Sequence, residues 1–295
     1  MSASTVVFQS HRSRLFGVAY RMLGTRADAE DTLQEVFLRW HQSSADAVKS
    51  PIAWLVSTTT RLCIDRLRTL KLERATYTGP WLPEPIHVQE TAPSPEAQQE
   101  FADEVSLAFV AVLERLAPTE RAAFLLHEVF DYPYGEIAQM LGKSEPACRQ
   151  LVSRALVRVR ESRPRTEMPA QARERLLRSF LAAAKSGDKA EIMRLLSDDA
   201  QYMADGGGKV VAALKVLHGN ERIGRLYYCV ARRFVGLDYR PAWVNGEPGA
   251  ITAMDGQLFS VVSFTMEGDH IRRIYNVRNP DKLAHLTLDG LELAR

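Results

Sequence analysis

Cysteine is scarce in this 295-residue chain. Cys63, Cys148 and Cys229 are far apart, form no CxxC pair and have no cysteine or histidine at zinc-ligand spacing. This excludes a disulfide-stapled scaffold. It fits small packing side chains in a reducing cytoplasm, with no metal and no cofactor expected. No apolar run approaches the length of a bilayer-crossing helix, so no membrane partner is expected either. Met1 to Ser10 lacks the basic start and apolar core of a signal peptide. There is no internal repeat.

A second absence divides the chain. Thr76 to Glu100 has no lysine or arginine, but five prolines and four glutamates. Such a composition does not fold alone and is read as a linker over 76–100. Inside it, Trp81-Leu82-Pro83-Glu84-Pro85 sets an aromatic and a leucine in a stiff frame. That pattern suits a rigid spacer whose Trp81 caps a core. It also suits a docking peptide whose ordering costs little.

What is present is ordinary globular composition, 46% hydrophobic and 25% charged, with a net charge of +2. The length suggests two or three domains. Charge is unevenly placed: basic clusters at 61–74 and 142–165 lie on either side of the acidic linker.

From Pro118, apolar Phe124, Leu125, Val129 and Phe130 recur at helical spacing. Asp131-Tyr132-Pro133 breaks that helix. A short helix with Ile137, Ala138 and Leu141 inward ends at Gly142. Ser144 caps a third helix, with Glu145 and Pro146 in its first turn. The third helix carries Arg149, Gln150, Ser153, Arg154, Arg158 and Arg160. Between Gly142 and Arg165 there are seven Lys or Arg against two Glu. A helix-turn-helix that enters a major groove reads this pattern one way; a helical hairpin with a solvated basic face reads it another.

Nearer the N-terminus, helices are expected over about Phe8–Gly24, Ala27–Gln42 and Pro51–Arg74. In the second, Leu33, Val36, Phe37 and Trp40 should be buried, while Asp28, Asp31 and Glu35 form an acidic edge. That edge either complements the helix dipole or docks a basic partner. The third sets Thr58, Thr60, Arg61, Asp65, Arg68 and Lys71 on its outer side, with Trp54 at the boundary. That face suits DNA phosphates and unstacked bases, or simply solvent.

The run Ala27-Asp28-Ala29-Glu30-Asp31 through Glu35–Trp40, then Trp54-Leu55 through Asp65–Arg68, resembles the second conserved region of bacterial sigma factors. Residues 118–160 resemble the fourth. The pair without other regions is similar to the extracytoplasmic-function class of RNA polymerase sigma factors. The resemblance implies a docking surface for the β′ clamp of core RNA polymerase at Asp28, Asp31, Glu35 and Trp40, with the β subunit as a further partner. It implies promoter DNA contacts through two sets of residues. Trp54, Thr58, Arg61, Asp65, Arg68 and Lys71 would meet the minus-ten element, and Ser144, Glu145, Arg149, Gln150, Ser153, Arg154 and Arg158 the minus-thirty-five element. Arg61 stands where relatives often have Asn, and Leu151 where a basic residue is frequent.

After Pro169 the pattern becomes helix (170–186), helix (188–196), short strands near Ala200–Ala204 and Lys209–Ala213, helix (Asn220–Arg232), and strands over 235–244, 249–254, 257–266 and 270–277. Asp255-Gly256 is a hairpin signal. The expected fold is multidomain: two all-α helical sigma domains, the second a helix-turn-helix, followed by an α+β domain. The strand order resembles the SnoaL-like cone. The expected boundaries are 1–75, 101–165 and 170–295 around the linker. A cone has a pocket, so Asp205, His218, Asp238 and His270 are candidate acid–base groups, with Tyr202, Tyr227, Tyr228 and Trp243 as its lining. Fold analogy does not supply chemistry, and catalysis is not expected.

Two motifs favour regulation. Asp205-Gly206-Gly207-Gly208-Lys209 is a flexible loop or a plain turn. Asn279-Pro280-Asp281-Lys282-Leu283 opens a helix with a capping sequence. Both resemble motifs of a sigma subgroup with a fused C-terminal extension, as does Trp81–Pro85. The resemblance implies a tethered regulator in place of a separate anti-sigma factor. Two rival readings remain at this point: a helix-turn-helix regulator that never joins polymerase, and an isomerase or cyclase fused to a DNA-binding region.

Overall fold

The computed structural model describes residues 3–43, 48, 50–90, 106–160 and 168–286. The chain divides into two compact units. One combines Met1–Thr76 with Val110–Arg163, the other Tyr77–Phe109 with Pro164–Arg295.

In the first unit, α1 (Ala3–Leu23), α2 (Arg26–Gln42) and α3 (Pro51–Ala75) start where capping chemistry allows. Thr25 Oγ1 accepts from Asp28 N at 3.2 Å, and Ser50 Oγ from Ala53 N at 3.4 Å with Pro51 at the first helical position. Leu15, Met22, Leu33, Val36, Trp40, Leu55, Val56 and Leu67 recur at helical spacing and are buried. Then follow α4 (Leu107–Leu113), which belongs to this unit from Val110 onward, α5 (Pro118–Glu128), α6 (Tyr134–Leu141) and α7 (Glu145–Arg160). Asp131 takes a left-handed φ of 57° between α5 and α6. Gly142, at φ 61°, ends α6 with its successor Lys143 N donating to Ala138 O at 2.9 Å. The α6–α7 seam uses Ile137, Met140, Cys148, Leu151 and Ala155, all buried. Leu141, expected to face inward, is only partly buried.

Buried charge ties the two stretches of this unit together. Arg121, 1% exposed, donates from Nη1 to Glu114 Oε1 at 2.5 Å and from Nε to Arg21 O at 2.8 Å. Arg74 pairs with the other oxygen of Glu114 and donates to Leu23 O at 2.9 Å. Glu114 thus bridges α3 and α5 from the end of α4.

The second unit carries α8 (Ala170–Ser186), α9 (Lys189–Leu195) and α10 (Asn220–Arg233) on a sheet of β1 (Val88–Gln89), β2 (Leu196–Asp205), β3 (Leu217–His218), β4 (Asp238–Val244), β5 (Glu247–Met254), β6 (Gln257–Glu267) and β7 (His270–Val277). The strand order is β1-β4-β5-β6-β7-β2-β3. The pairs from β4 to β7 form an antiparallel meander, while β2 runs parallel to β7. A short α11 (Pro280–Leu283) follows. The strand expected over Lys209–Ala213 does not form. Gly207 and Gly208 take φ of 62° and 72°, and the turn they make directs the chain away from any strand partner.

Alternation sorts the sheet into two faces. Tyr202, Ala204, Ala250, Val262, Phe264 and Ile274 pack with Phe180, Ile192, Ile223 and Tyr227 of the helices. The alternate positions Val244, Ile251, Ala253, Val261, Tyr275 and Val277 are buried as well. A half-covered antiparallel sheet would leave that second face wet. Leu82 and Ile86 from the linker and Leu283 from α11 are buried side chains available to cover it. Burial of each is worth about 1.5–3 kcal/mol.

A Cβ at Gly207 would stand 2.4 Å from Asn279 Nδ2, on a backbone of positive φ. Gly207→Ala is expected to destabilise the second unit by about 1–3 kcal/mol. Urea denaturation followed by tyrosine and tryptophan fluorescence measures the loss.

Candidate functional surfaces and the linker clamp

On α2, Asp28 is turned inward to structure. It accepts from Thr25 Oγ1 at 2.6 Å and from Arg66 Nε at 2.8 Å, and Arg66 also reaches Glu73 at 2.9 Å. Trp40 is 1% exposed, donates from Nε1 to Ser4 O at 2.9 Å and packs on Trp54 with ring centroids 5.3 Å apart. Trp40 is therefore a core residue and not a surface contact: its indole supports the helix from behind. Asp31 and Glu35 are exposed, Glu35 holding Arg39 at 2.8 Å. Leu38, on the same face, is 49% exposed. It escaped the sequence reading because a lone leucine in an amphipathic helix carries no signal of its own.

On α3, Trp54 and Thr58 are partly buried, Thr60, expected on the outer side, is 1% exposed and faces the core, and Arg61, Asp65, Arg68 and Lys71 are exposed. Arg68 Nη1 donates to Asp65 at 2.8 Å. Arg61 donates from Nε to Met140 O at 2.9 Å and from Nη2 to Gln139 O at 3.4 Å. It thus engages carbonyls at the C-terminal end of α6, where the helix dipole favours a cation. A groove of about 320 Å³ opens here, lined by Arg61, Asp65 and Arg68 on one side and Thr119, Met140 and Lys143 on the other.

In the helix-turn-helix, Ser144 Oγ accepts from Ala147 N at 3.4 Å. Arg149 pairs with Glu145 at 3.2 Å and lies over the Tyr134 ring at 5.1 Å. Gln150 and Ser153 are exposed. Arg154 and Arg158 both pair with Glu120, a carboxylate only 6% exposed at the start of α5. They brace α7 against α5 as well as presenting charge.

In the second unit the three regulatory motifs meet. Asp205 is fully buried at the end of β2. Its Oδ1 accepts from Tyr77 Oη at 2.5 Å and Gly207 N at 3.1 Å, and its Oδ2 from Leu82 N at 2.8 Å and Lys282 Nζ at 2.7 Å. Lys282, 6% exposed, also donates to Leu82 O and lies 3.9 Å from the Trp81 ring centroid. Asn279 donates to Tyr77 Oη at 3.0 Å and caps α11 through Asp281 N at 3.1 Å. Lys209 holds Asp281 at 2.6 Å on the outside. Pro280 fills the first helical position of α11, and Leu283 is buried. Gly206 is required by close approach, since a Cβ there would meet Val210 O at 2.6 Å. Gly208 passes Thr78, its Cβ position 3.1 Å from that side chain. Pro83, Glu84 and Pro85 are buried, with Glu84 held by His285 at 3.2 Å. Burial, then the Asp205 carboxylate, push the Tyr77 phenol above its usual range, so it stays a donor.

Further along, Asn245 Oδ1 accepts from Ile86 N at 3.0 Å and His87 N at 3.1 Å, while Asn245 N donates to His87 O at 2.8 Å. Val88 and Gln89 then pair with Val244 and Trp243 as a strand added to the sheet edge. Arg240 Nη1 reaches Glu90 at 3.3 Å. Tyr77, Asn245 and Arg240 were not singled out from the sequence. The Asn245-Gly246 dipeptide is the one sequence signal that could have marked this turn, and both residues take a positive φ there.

The acid–base candidates have other employment. His218 is exposed opposite Gln201, and His270 contacts Asp269 at 2.5 Å. Asp238 is held by Arg240 and Lys185, each at 2.9 Å, which keep its carboxyl below the usual range. Tyr228 is 39% exposed beside Arg232. Trp243 is partly buried on β4. Among the described residues there is no cluster of His, Cys, Asp and Glu able to hold a metal, and no helix long and apolar enough to cross a membrane.

Asp205→Asn leaves Lys282 buried without its counter-charge. The loss expected is about 3–5 kcal/mol of clamp stability. Limited proteolysis should then cut within 77–90, while wild type resists there. Asp205→Leu with Lys282→Met should resist better than either single change.

Residues 7–73 match the family model described as Sigma-70 region 2, and residues 106–159 match Sigma-70, region 4. The chain is 37% identical over 287 residues to the ECF RNA polymerase sigma factor SigJ of Mycobacterium tuberculosis, covering 93% of this chain and 91% of that protein. It is 30% identical to the probable ECF RNA polymerase sigma factor SigI of the same species, covering 95% and 94%. The crystal structure of M. tuberculosis SigJ superposes with a TM-score of 0.74 at 33% identity, over 94% of this chain and 97% of that one. Two helical sigma regions in order, a C-terminal mixed sheet and near-full-length similarity place the chain in the family of extracytoplasmic-function RNA polymerase sigma factors.

Proposed function

We propose that this sigma factor is controlled in cis by its second unit, which acts on the segment between its two sigma regions. One observation carries the reading: residues 77–90 leave α3 and become part of the second unit, although the chain continues from there to the helix-turn-helix. Fixing those fourteen residues removes about 46–50 Å of contour from the adjustable tether between the sigma regions.

That length matters. Elements named minus-ten and minus-thirty-five lie roughly 25 base pairs apart, on the order of 85 Å. In the first unit, Arg61 of α3 is hydrogen-bonded to the end of α6, and Glu114 bridges Arg74 and Arg121. A body packed in this way cannot lay α3 on one element and α7 on the other. Engagement requires the two halves to part, and a clamped linker opposes it. The geometry therefore favours restraint by a tether, with no separate anti-sigma factor needed.

In the same reading, Asp31, Glu35 and Leu38 of α2 form the edge that docks the β′ clamp of core RNA polymerase. Arg61, Arg68 and Lys71 meet the minus-ten element, and Arg149, Gln150 and Ser153 read the minus-thirty-five element. The second unit has no catalytic step in this scheme.

Asp31→Lys with Glu35→Lys should abolish co-purification with core polymerase and lower promoter-specific transcription in vitro by more than tenfold, with DNA affinity retained. Asp205→Asn should raise transcription several-fold. Wild-type polymerase binding by the charge-reversed chain would exclude the docking edge. Unchanged transcription by a variant whose linker is demonstrably released would exclude control in cis.

A further inference from the structure

The helix-covered face of the second unit's sheet carries a row of polar side chains, Tyr239, Thr252, Ser260 and Arg278. Register places Tyr239 opposite Thr252, and Thr252 opposite Ser260. Arg278 lies one step beyond Val277, the partner of Val261, and so extends the row on the next strand. Thr252 and Ser260 satisfy each other at 2.7 Å. Tyr239 and Arg278 have no such partner. Among the described residues the Tyr239 hydroxyl makes no hydrogen bond. Among the described residues Arg278 pairs with no carboxylate: one nitrogen donates to Val211 O, its ring contacts are Phe234 and Phe259, and its buried Nε is unsatisfied.

The adjacent row is built from small side chains, Ala250, Val262, Asn276 and Ala204. Asn276 Nδ2 donates to Tyr202 Oη at 2.8 Å, leaving its buried Oδ1 unpaired. Tyr227 of α10, 6% exposed, packs edge-on to Tyr202 at 6.1 Å, and its hydroxyl makes no hydrogen bond among the described residues. Phe180 and Phe264 complete the apolar surround. Buried polar groups are normally paired, so Arg278 Nε and Asn276 Oδ1, both buried and unsatisfied beside the Tyr239 and Tyr227 phenols, call for an occupant. Donors predominate: a guanidinium and the phenols of Tyr239 and Tyr227. Burial raises the tyrosines' pKa values, which keeps those phenols protonated. Asp205 cannot serve as a base here, because its neighbour Ala204 faces this row and Asp205 the opposite side.

We infer that this face binds a small organic acid with a flat or linear apolar body, its carboxylate on Arg278 and Tyr239 and its body against Tyr202, Tyr227 and Phe264. A carboxylate satisfies the guanidinium with charge-assisted bonds that a neutral amide cannot make. The site adjoins the clamp through the backbone, since Arg278 N donates to Asp205 O at 2.7 Å and Asn279 follows. The inference stands apart from the sigma assignment, and its failure leaves that assignment untouched.

The test titrates the full chain with benzoate, cinnamate and octanoate, and with the three matching amides, by calorimetry and ligand-observed NMR. At least one acid should bind, and its amide at least about tenfold more weakly. Arg278→Gln and Tyr239→Phe should each weaken that acid by about tenfold or several-fold respectively. Tyr239→Phe keeps the ring, so it reads the hydroxyl even if Arg278→Gln folds poorly. Absence of binding by all three acids overturns the inference. So does equal binding of acid and amide, or binding unaffected by Tyr239→Phe in a folded chain.

Discussion

The second unit depends on one buried ion pair. Asp205, with no exposure, and Lys282, 6% exposed, are 2.7 Å apart. Removing two charges from water is unfavourable unless every remaining lone pair and proton is used. Here they are used: Tyr77, Leu82 N and Gly207 N complete the carboxylate, while Leu82 O and the Trp81 ring complete the ammonium. The partners come from three separated stretches of chain, 77–82, 205–207 and Lys282. A hydrophobic pair could be as stable, but it would not fix which peptide sits where. The ion pair specifies register, and the register delivers Leu82 and Ile86 to burial and Val88 to the edge of β4.

From that point the rest follows in order. Asn245 repeats the device at the far end, one amide side chain receiving two linker N–H groups. Between the two anchors the prolines of Trp81–Pro85 limit the entropy lost on docking. The described part of the linker, through Glu90, has no lysine or arginine and takes its place as a guest on the second unit's sheet. In the first unit, Glu114 with Arg74 and Arg121 plays the corresponding part for the helices.

Much of this was legible in the sequence. Helical spacing and local stop and start signals located α1–α3 and α5–α7, because Pro51, Gly142 and Ser144 act locally. The meander β4–β7 was legible from alternation and from Asp255-Gly256. The strand expected at Lys209–Ala213 was not formed, since the two left-handed glycines before it turn the chain away. Trp40 was placed on a docking surface by resemblance although its own helical spacing buried it, and the structure follows the spacing. Tyr77, Asn245 and Arg240 were silent because their partners are distant in sequence: 128 residues separate Tyr77 from Asp205. No local pattern encodes such pairs.

The central claim is that residues 77–90 are part of the second unit's structure in the free protein. Hydrogen–deuterium exchange of the intact chain tests it most directly at the amides of Leu82, Ile86 and His87, whose acceptors are Asp205 and Asn245. The account predicts protection comparable to that of β4 and β7. Exchange at the rate of an unstructured peptide at all three amides would contradict it.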